Sequence, residues 1–247
     1  MIRQHDPDRF LTALFAPADK REALFTLYAF NHELARAREA VTEPHLALIR
    51  LHWWREVIEG TATRHPVATA ITQALAASAL HAPDLLAMID AREVEADPAI
   101  PTLAAWREYL LGTAGGLAVA AGRLLGAARP EDLRSLGAAY GAAGVLRAVP
   151  ALARNGRCLL PEDVLGAHGL SGAAVIGGAN PTVAIGDLAA VGQAFLRPLR
   201  LPRTAIAAAL PAVLARRDLA RVPAPAMPRG LGDKLAVTWA AWRGCIW

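Results

Sequence analysis

The sequence predicts an all-α protein, and three observations carry that prediction. Hydrophobic residues make up 54% of the 247 residues, nearly a quarter of the residues are the strong helix former Ala, and aromatic residues are only 6%. Apolar residues recur at helical spacing along most of the chain, and no segment alternates convincingly as a strand would. Seventeen Pro and twenty Gly residues mark the ends and kinks of helices.

The first half of the chain divides into helices at its capping residues and prolines. Asp19-Lys20-Arg21-Glu22 is an acceptable capping box and begins a helix that runs beyond Leu34. Three prolines suit the first turns of further helices, namely Pro44, Pro66 and Pro83. Thr102 caps a long helical segment that reaches about Gly126.

The second half begins with the most apolar helix of the chain. Pro130 begins this helix, and Leu136 to Leu146 is apolar nearly all round, so we expect it to be central and buried. Pro150 is expected to kink or end it. The remaining predicted helices begin at Pro161, cover about 183–196 and 203–217, and include a last helix at the C-terminus. We expect one domain, with residues 1–222 as a helical bundle and 223–247 as a Pro-rich linker and a Trp-rich helix of the same domain.

Charge and cysteine content exclude several classes of protein. The formal net charge of +4 comes from basic residues that are interleaved with acidic ones, so we do not expect nucleic-acid binding. The two Cys residues cannot form a disulfide framework or a metal cluster. The longest nearly uncharged stretches fall short of the roughly 20 residues that a membrane span needs, and the N-terminus has no signal-peptide core. The expected location is the cytoplasm.

Two segments carry unusual polar residues. In the first, over 27–39, His32, Arg36 and Glu39 share one helix face, which is either a solvated surface or part of a site. In the second, over 144–163, Arg147 interrupts an otherwise apolar helix. Such a charge should be paired for structural reasons or should face a cavity.

These two segments, at this separation, resemble the squalene/phytoene synthase family over about Asp6 to Leu219. The motifs that carry the resemblance are Tyr28-Ala29-Phe30, Ile89-Asp90-Ala91-Arg92, Tyr109, Leu146-Arg147, Gly156-Arg157 and Leu160-Pro161. The resemblance implies the isoprenoid-synthase fold, an all-α helical bundle around a deep central cavity. It also implies a site on two facing helices, where the family carries aspartate clusters that hold magnesium ions and bind a diphosphate.

The chain departs from the family at those clusters. Laid on the family frame, the first cluster falls on Ala35, Arg36 and Glu39, and the second falls on Ala148 and Leu152. Magnesium needs hard oxygen ligands, and one carboxylate cannot assemble a metal cluster on two facing walls. We therefore expect no magnesium, no other cofactor, no metal ligands and no catalytic residues, and we expect prenyl-diphosphate coupling to be lost.

Similar losses mark one branch of the superfamily, the phytoene-synthase-like complex I assembly factors of mitochondria, and this sequence is more similar to that branch. The stretches concerned include 29–35, Leu51-His52-Trp53-Trp54-Arg55, 146–150, 160–163 and His168-Gly169. The residues expected to line the cavity and to bind any ligand are Asn31, His32, Ala35, Arg36, Glu39, Arg147, Ala148, Leu152, Arg154 and Arg157. Among them we expect Arg147 to face the cavity and to pair with Glu39.

Three functions remain open from the sequence. The first is a non-catalytic protein that assists assembly of a respiratory or other membrane complex and binds a client protein of that complex. The second is a divergent prenyl-diphosphate transferase that uses Arg36, Arg147, Arg154 and Arg157 in place of metals. The third is a carrier that holds an apolar isoprenoid, a quinone or another lipid in the same cavity.

The C-terminal helix has two interpretations. Trp239 and Trp242 share one face with Leu235, and Lys234 and Arg243 add positive charge. Either the helix docks on the bundle by burying these Trp side chains and closes one end of the cavity, or it makes a peripheral contact with an inner-membrane complex or its lipids.

Overall fold

The computed structural model of the chain describes residues 2–39, 41, 43–61, 64–222 and 228–247. Its helices are α1 (Ile2–His5), α2 (Pro7–Ala13), α3 (Arg21–Glu39), α4 (Pro44–Ile58), α5 (Pro66–Ala76), α6 (Ala82–Asp90), α7 (Leu103–Gly112), α8 (Ala114–Leu124), α9 (Arg134–Arg154), α10 (Glu162–Ala167), α11 (Gly172–Ile176), α12 (Thr182–Ala194), α13 (Pro211–Leu219) and α14 (Leu231–Arg243). Short 3-10 turns cover Ala18–Lys20, Glu93–Ala96, Pro130–Leu133 and Ile206–Ala208. The predicted all-α class is confirmed.

Strand structure is minimal but present. Leu199–Arg200 forms β1 and Cys245–Ile246 forms β2, and the two pair antiparallel with Leu199 opposite Ile246. No sequence pattern predicts them, because two-residue strands are too short for an alternating pattern. Their pairing attaches the C-terminal end of the chain to the segment before α13.

The central helix is α9, as its apolar sequence predicts. It packs against α7, α8, α12 and α13. Among the described residues, Pro130–Arg154 is the one helix whose length and composition would allow it to cross a membrane. A helix surrounded by four others has the same composition, because it is apolar on most of its circumference.

Several predicted boundaries differ from the structure. The helix predicted over 203–217 is a 3-10 turn at Ile206–Ala208 followed by α13 at Pro211–Leu219. The long segment after Thr102 breaks at Thr113 into α7 and α8, and the Thr113 hydroxyl donates a hydrogen bond to the Tyr109 carbonyl (2.6 Å). Conversely, α9 continues through Pro150 to Arg154, so of the two effects predicted for Pro150, the end of the helix is wrong. Local helix propensity predicts neither the break at Thr113 nor the continuation through Pro150. Contacts with neighbouring helices outweigh the propensity of a single residue.

Glycine allows α8 and α9 to approach closely. A Cβ atom on Gly137 of α9 would lie 2.4 Å from the Ala114 carbonyl oxygen and 2.6 Å from the Ala118 Cβ. Two helices can be this close only where one of them lacks a side chain. The contact fixes one wall of the molecule's interior, because Ala114 also lines the cavity described below.

Replacing Gly137 with Ala is expected to lower the free energy of unfolding by about 1–3 kcal/mol, because backbone atoms must move to admit the methyl group. Gly144→Ala in the same helix is the matched control, since nothing lies within 4 Å of its Cβ position. That control should instead stabilise the chain by about 0.5–1 kcal/mol. Urea unfolding followed by circular dichroism measures both; equal effects of the two substitutions would contradict the close approach.

A buried network of ion pairs ties the end of the chain to its beginning. Arg229 donates from Nη1 and Nη2 to the two Asp218 oxygens (2.6 and 2.7 Å) and from Nε and Nη2 to Asp8 (2.9 and 2.6 Å). Arg147 completes the network by donating to Asp218 Oδ2 (2.9 Å). Burial works to lower the pKa of Arg229, but its hydrogen bonds to the two carboxylates outweigh this and raise it.

The C-terminal helix docks on α13 by a side that carries no tryptophan. Val237, Ala240 and Ala241 are buried, and Asp233 accepts hydrogen bonds from Arg217 (2.6 Å) and Arg221 (3.3 Å). Burial tends to raise the pKa of Asp233, but these bonds and one from the Gly230 N–H hold it below its usual value.

The predicted docking of this helix through its tryptophans, with closure of one end of the cavity, is therefore wrong. Trp239 and Trp242 stay exposed, and no α14 residue lines the central cavity. The linker was predicted to run from Pro223 to Gly232. Residues 223–227 lie outside the described residues, and Leu231 and Gly232 belong to α14.

Candidate functional site

A central cavity of about 280 Å³ lies between α3, the junction of α7 and α8, α9 and the N-terminal segment. The α3 wall is formed by Asn31, His32, Ala35 and Glu39. The α9 wall is formed by Tyr140, Gly141, Gly144, Val145, Ala148 and Leu152. The remaining lining residues are His5, Asp6, Arg9, Arg92, Glu95, Tyr109, Leu110, Thr113, Ala114, Arg157 and Leu159.

The two main walls follow directly from helix geometry. Positions 31, 35 and 39 on α3 and positions 141, 145, 148 and 152 on α9 are spaced by three or four residues, which places each set on one helix face. The bundle turns these two faces toward each other. Seven of the ten residues predicted for the cavity, Asn31, His32, Ala35, Glu39, Ala148, Leu152 and Arg157, are brought together there.

Three predicted arginines lie elsewhere. Arg36 and Arg154 are exposed and do not line the cavity. Arg147 does not face the cavity or pair with Glu39; it pairs with Asp218 at 2.9 Å and lies 3.9 Å from Asp8. The physical reason is rotation along the helix, because Arg147 lies about 100° from Ala148 and so points toward α13 instead.

One buried carboxylate holds the polar wall of the cavity together. Glu95 accepts hydrogen bonds from the Tyr109 hydroxyl (2.8 Å), from Arg157 Nη2 (3.2 Å) and from Arg92. Arg92 also donates to the Asn31 side-chain oxygen (3.3 Å), which links this group to α3. Burial raises the pKa of Tyr109, and the nearby Glu95 adds to the shift.

Of this group, the sequence singled out Asn31 and Arg157 as site residues and missed Glu95, Arg92 and Tyr109 as polar partners. The motif Ile89-Asp90-Ala91-Arg92 and Tyr109 carried part of the family resemblance, and that was the available signal. Glu95 itself stands in a 3-10 turn among other charged residues, where burial is not encoded locally.

A second cluster of polar side chains is centred on Arg9 of α2. Arg9 donates to Asp6 (2.7 Å), and its guanidinium lies 4.7 Å from the centre of the Tyr140 ring. Burial works to lower the pKa of Arg9, but Asp6 and the adjacent tyrosines outweigh it and raise the pKa. Burial also raises the pKa of Tyr28, whose ring centre lies 5.8 Å from the Arg9 guanidinium carbon. The Arg9 side chain is thus held by one carboxylate and two aromatic rings.

Two histidines stack at the mouth of the cavity. The rings of His5 and His32 lie 4.8 Å apart at an interplanar angle of 24°, and the buried His32 Nε2 has no hydrogen-bond partner among the described residues. Burial lowers the pKa of His32, and the neighbouring His5 lowers it further. His32 is therefore expected to be neutral near pH 7.

This environment predicts a pH dependence of stability. Because the folded state lowers the pKa of His32, the unfolded chain takes up the proton first as the pH falls below about 6.5. Stability that is present above that pH is then lost until the lower, folded pKa is passed. The free energy of unfolding should fall more between about pH 7 and pH 5 in the wild type than in His32→Gln. His52→Gln, at an exposed position of α4, is the control, and coincident profiles for wild type and His32→Gln would contradict the assignment.

The side chains present do not fit a magnesium cluster. Ala35, Ala148 and Leu152 occupy the wall positions where the resemblance described above implies aspartates, and Asp6 and Glu95 are already bound by arginines. Within the described ranges, no group of three His, Cys, Asp or Glu side chains is placed to hold a metal ion. Apart from Glu39, the acidic groups of the lining are paired with arginines, and they lie beside an apolar surface.

Comparison with known proteins agrees with the predicted family. The family model for squalene/phytoene synthase matches residues 2–238. Complex I assembly factor 6 of NADH dehydrogenase (ubiquinone) from Homo sapiens is 29% identical over 182 residues, covering 69% of this chain and 54% of that protein. The Drosophila melanogaster homologue is 27% identical over 187 residues, covering 69% of this chain and 55% of that protein. This chain thus spans about half the length of the curated relatives it matches.

Solved structures confirm the fold. A dehydrosqualene synthase in complex with ligand has a TM-score of 0.75 and 16% sequence identity, covering 98% of this chain and 93% of that one. A squalene synthase from Alicyclobacillus acidocaldarius has a TM-score of 0.62 and 18% identity, covering 98% and 90%. The predicted isoprenoid-synthase-like bundle is therefore confirmed, as is the predicted similarity to the assembly-factor branch.

Proposed function

Because this chain belongs to the squalene/phytoene synthase family, we propose that it is a non-catalytic member that assists assembly of a respiratory membrane complex of the complex I type. The observation that carries the proposal is the pair of facing cavity walls, where Ala35, Ala148 and Leu152 replace carboxylates. Without those ligands the walls cannot bind the metal ions that neutralise a departing diphosphate. Relatives that bear the name complex I assembly factor 6 support the assembly role.

The proposal includes a partner and a location. The partner is a client protein of the membrane complex, and no magnesium or other cofactor takes part. Since such a client lies in or at the membrane, we place the chain in the cytoplasm with a peripheral contact to the inner membrane.

The purified chain is expected not to condense farnesyl or geranylgeranyl diphosphate when magnesium is supplied. The reason is the loss of carboxylates at Ala35, Arg36, Ala148 and Leu152. Diphosphate release, followed with a coupled phosphate assay, should stay at the level of the buffer. Magnesium-dependent release at about 1 s⁻¹ or faster would restore the transferase alternative.

The assembly role is tested in the organism that encodes the chain. Deletion of its gene should lower the NADH:quinone oxidoreductase activity of isolated membranes and the amount of the assembled complex. Succinate dehydrogenase in the same membranes is the control and should not change. An unchanged NADH:quinone oxidoreductase would contradict the proposed function, whatever the outcome of the diphosphate assay.

The structure weakens the transferase alternative and leaves a reason to test the carrier alternative. Of the four arginines assigned to a metal-free transferase, Arg157 alone lines the cavity, and it is bound by Glu95. The carrier is favoured by the apolar part of the lining, which includes Leu110, Val145 and Leu159. Organic extraction of the purified chain followed by mass spectrometry would reveal a co-purified isoprenoid or quinone.

A further inference from the structure

The outward face of α14 carries an unusually apolar stripe. Leu231, Leu235, Trp239 and Trp242 follow one another by three or four residues, so they share one side of the helix. Their exposed fractions are 79, 67, 58 and 63%. The two indole rings stack on each other with centroids 5.2 Å apart, so they form one continuous aromatic surface.

This exposure is not the result of a loosely attached helix. The opposite side of α14 buries Val237 completely, and Asp233 is held by Arg217 and Arg221. The strand that follows the helix pairs Ile246 with Leu199. Contacts near both ends of α14 therefore hold the helix in place, and the stripe faces outward.

The C-terminal fifth of the chain is also strongly basic. Residues 197–247 contain nine Arg or Lys and two Asp, whereas residues 1–196 contain 17 Arg or Lys and 20 Asp or Glu. Both aspartates, Asp218 and Asp233, are buried and bound by arginines. The charge displayed around α14 is consequently positive, although the rest of the chain is slightly negative.

A cleft beside the stripe brings arginines and aromatic rings together. It has a volume of about 450 Å³ between α13 and α14, and it is lined by Arg216, Arg217, Arg243, Trp239 and Trp247 among others. Arg216 lies 5.1 Å from the centre of the Trp247 ring. Unlike Arg217, neither Arg216 nor Arg243 forms an ion pair with a carboxylate of the described part of the chain.

We propose that this face docks on the surface of an anionic lipid bilayer, with the four-residue stripe in the interfacial layer and Arg216 and Arg243 on lipid phosphates. Indole rings prefer the boundary between headgroups and acyl chains, and guanidinium forks match phosphate oxygens. A basic rim around an apolar helix face is the combination that binds anionic membranes.

Charge complementarity favours a bilayer over a second copy of the chain. A symmetric dimer through this face would bring two strongly basic surfaces together, which is electrostatically unfavourable. The inference rests on the peripheral membrane contact of the proposed function and names the face that makes it. Its test is separate from that of the assembly role, because lipid binding can be measured without any client protein.

The test is sedimentation of the full chain with vesicles of phosphatidylcholine alone or mixed with phosphatidylglycerol. We expect the chain to sediment with the anionic vesicles and to be released by about 1 M salt, which screens the arginines. The double variant Trp239→Ser/Trp242→Ser should bind anionic vesicles at least about tenfold more weakly, and Arg216→Gln/Arg243→Gln should lose the preference for anionic lipid.

The matched control is Leu48→Ser/Ile49→Ser, which removes two exposed apolar side chains from α4. It should sediment like the wild type, and all three variants should keep the wild-type melting temperature because the replaced side chains are at the surface.

Three outcomes would overturn the proposal. The first is a wild-type chain that ignores anionic vesicles, and the second is an α14 variant that binds them as well as the α4 control does. The third is binding only to protein-containing membranes or self-association through α14, which would assign the face to a protein partner or to a second copy. A chain that binds vesicles but whose gene deletion leaves respiratory activity unchanged would retain this inference and lose the proposed function.

Discussion

Replacing Asp218 with Ala is expected to lower the free energy of unfolding by about 3–5 kcal/mol, because the largely buried Arg229 and the partly buried Arg147 then share one remaining carboxylate, that of Asp8. Asp218 is 6% exposed and accepts hydrogen bonds from both Arg147 and Arg229. Asp8 is the other carboxylate of the network, and it cannot neutralise two arginines. Urea unfolding followed by circular dichroism gives the difference.

The control for Asp218 is an ion pair at the surface. Asp187 lies 2.7 Å from His168 Nε2 and is 62% exposed, so Asp187→Ala should change stability by about 0–1 kcal/mol. Asp218→Asn should fall between the two, since it keeps the shape and one acceptor oxygen. If Asp218→Ala and Asp187→Ala are alike, the network does not hold the C-terminal segment on the bundle.

Replacing Glu95 with Gln is expected to cost about 2–4 kcal/mol of stability, because Arg92 and Arg157 then lose the negative charge that pairs them. Glu95 is 6% exposed, and both arginine side chains are almost as buried. Glu93→Gln is a close control: it stands two residues away in the same 3-10 turn, is exposed and lies 3.4 Å from Arg55. That control should lose no more than about 1 kcal/mol.

The Glu95→Gln and Glu93→Gln variants also test whether the cavity binds anions. Arginines released from Glu95 should bind diphosphate, since guanidinium groups recognise phosphate oxygens without a metal. Inorganic diphosphate should therefore raise the melting temperature of Glu95→Gln and leave that of Glu93→Gln unchanged. An equal rise in the wild type would show that the cavity already binds diphosphate and would support the transferase alternative.

Helix α9 bears out one prediction from its sequence and contradicts another. The apolar circumference of this helix predicted its central position, and the family resemblance predicted that Ala148 and Leu152 lie opposite Ala35. The partner of Arg147 was mispredicted, because Asp218 lies 71 residues further along the chain and no local pattern brings the two together. A charge in an apolar helix predicts that a partner exists; the packing of α13 decides which one.

By itself, the sequence determined the all-α class through helical periodicity and residue type, which are local. The resemblance to the family located the two faces of α3 and α9 that line the cavity, because it aligns Ala35, Ala148 and Leu152 with the positions of the family's aspartate clusters. Only the tertiary structure decided that Glu95 is buried between Arg92, Arg157 and Tyr109, and that α14 docks by Val237 while Trp239 stays exposed. Periodicity shows that a helix has two faces, but which face is buried depends on the shape and charge of the surface it meets, and that surface is assembled from residues distant in the chain.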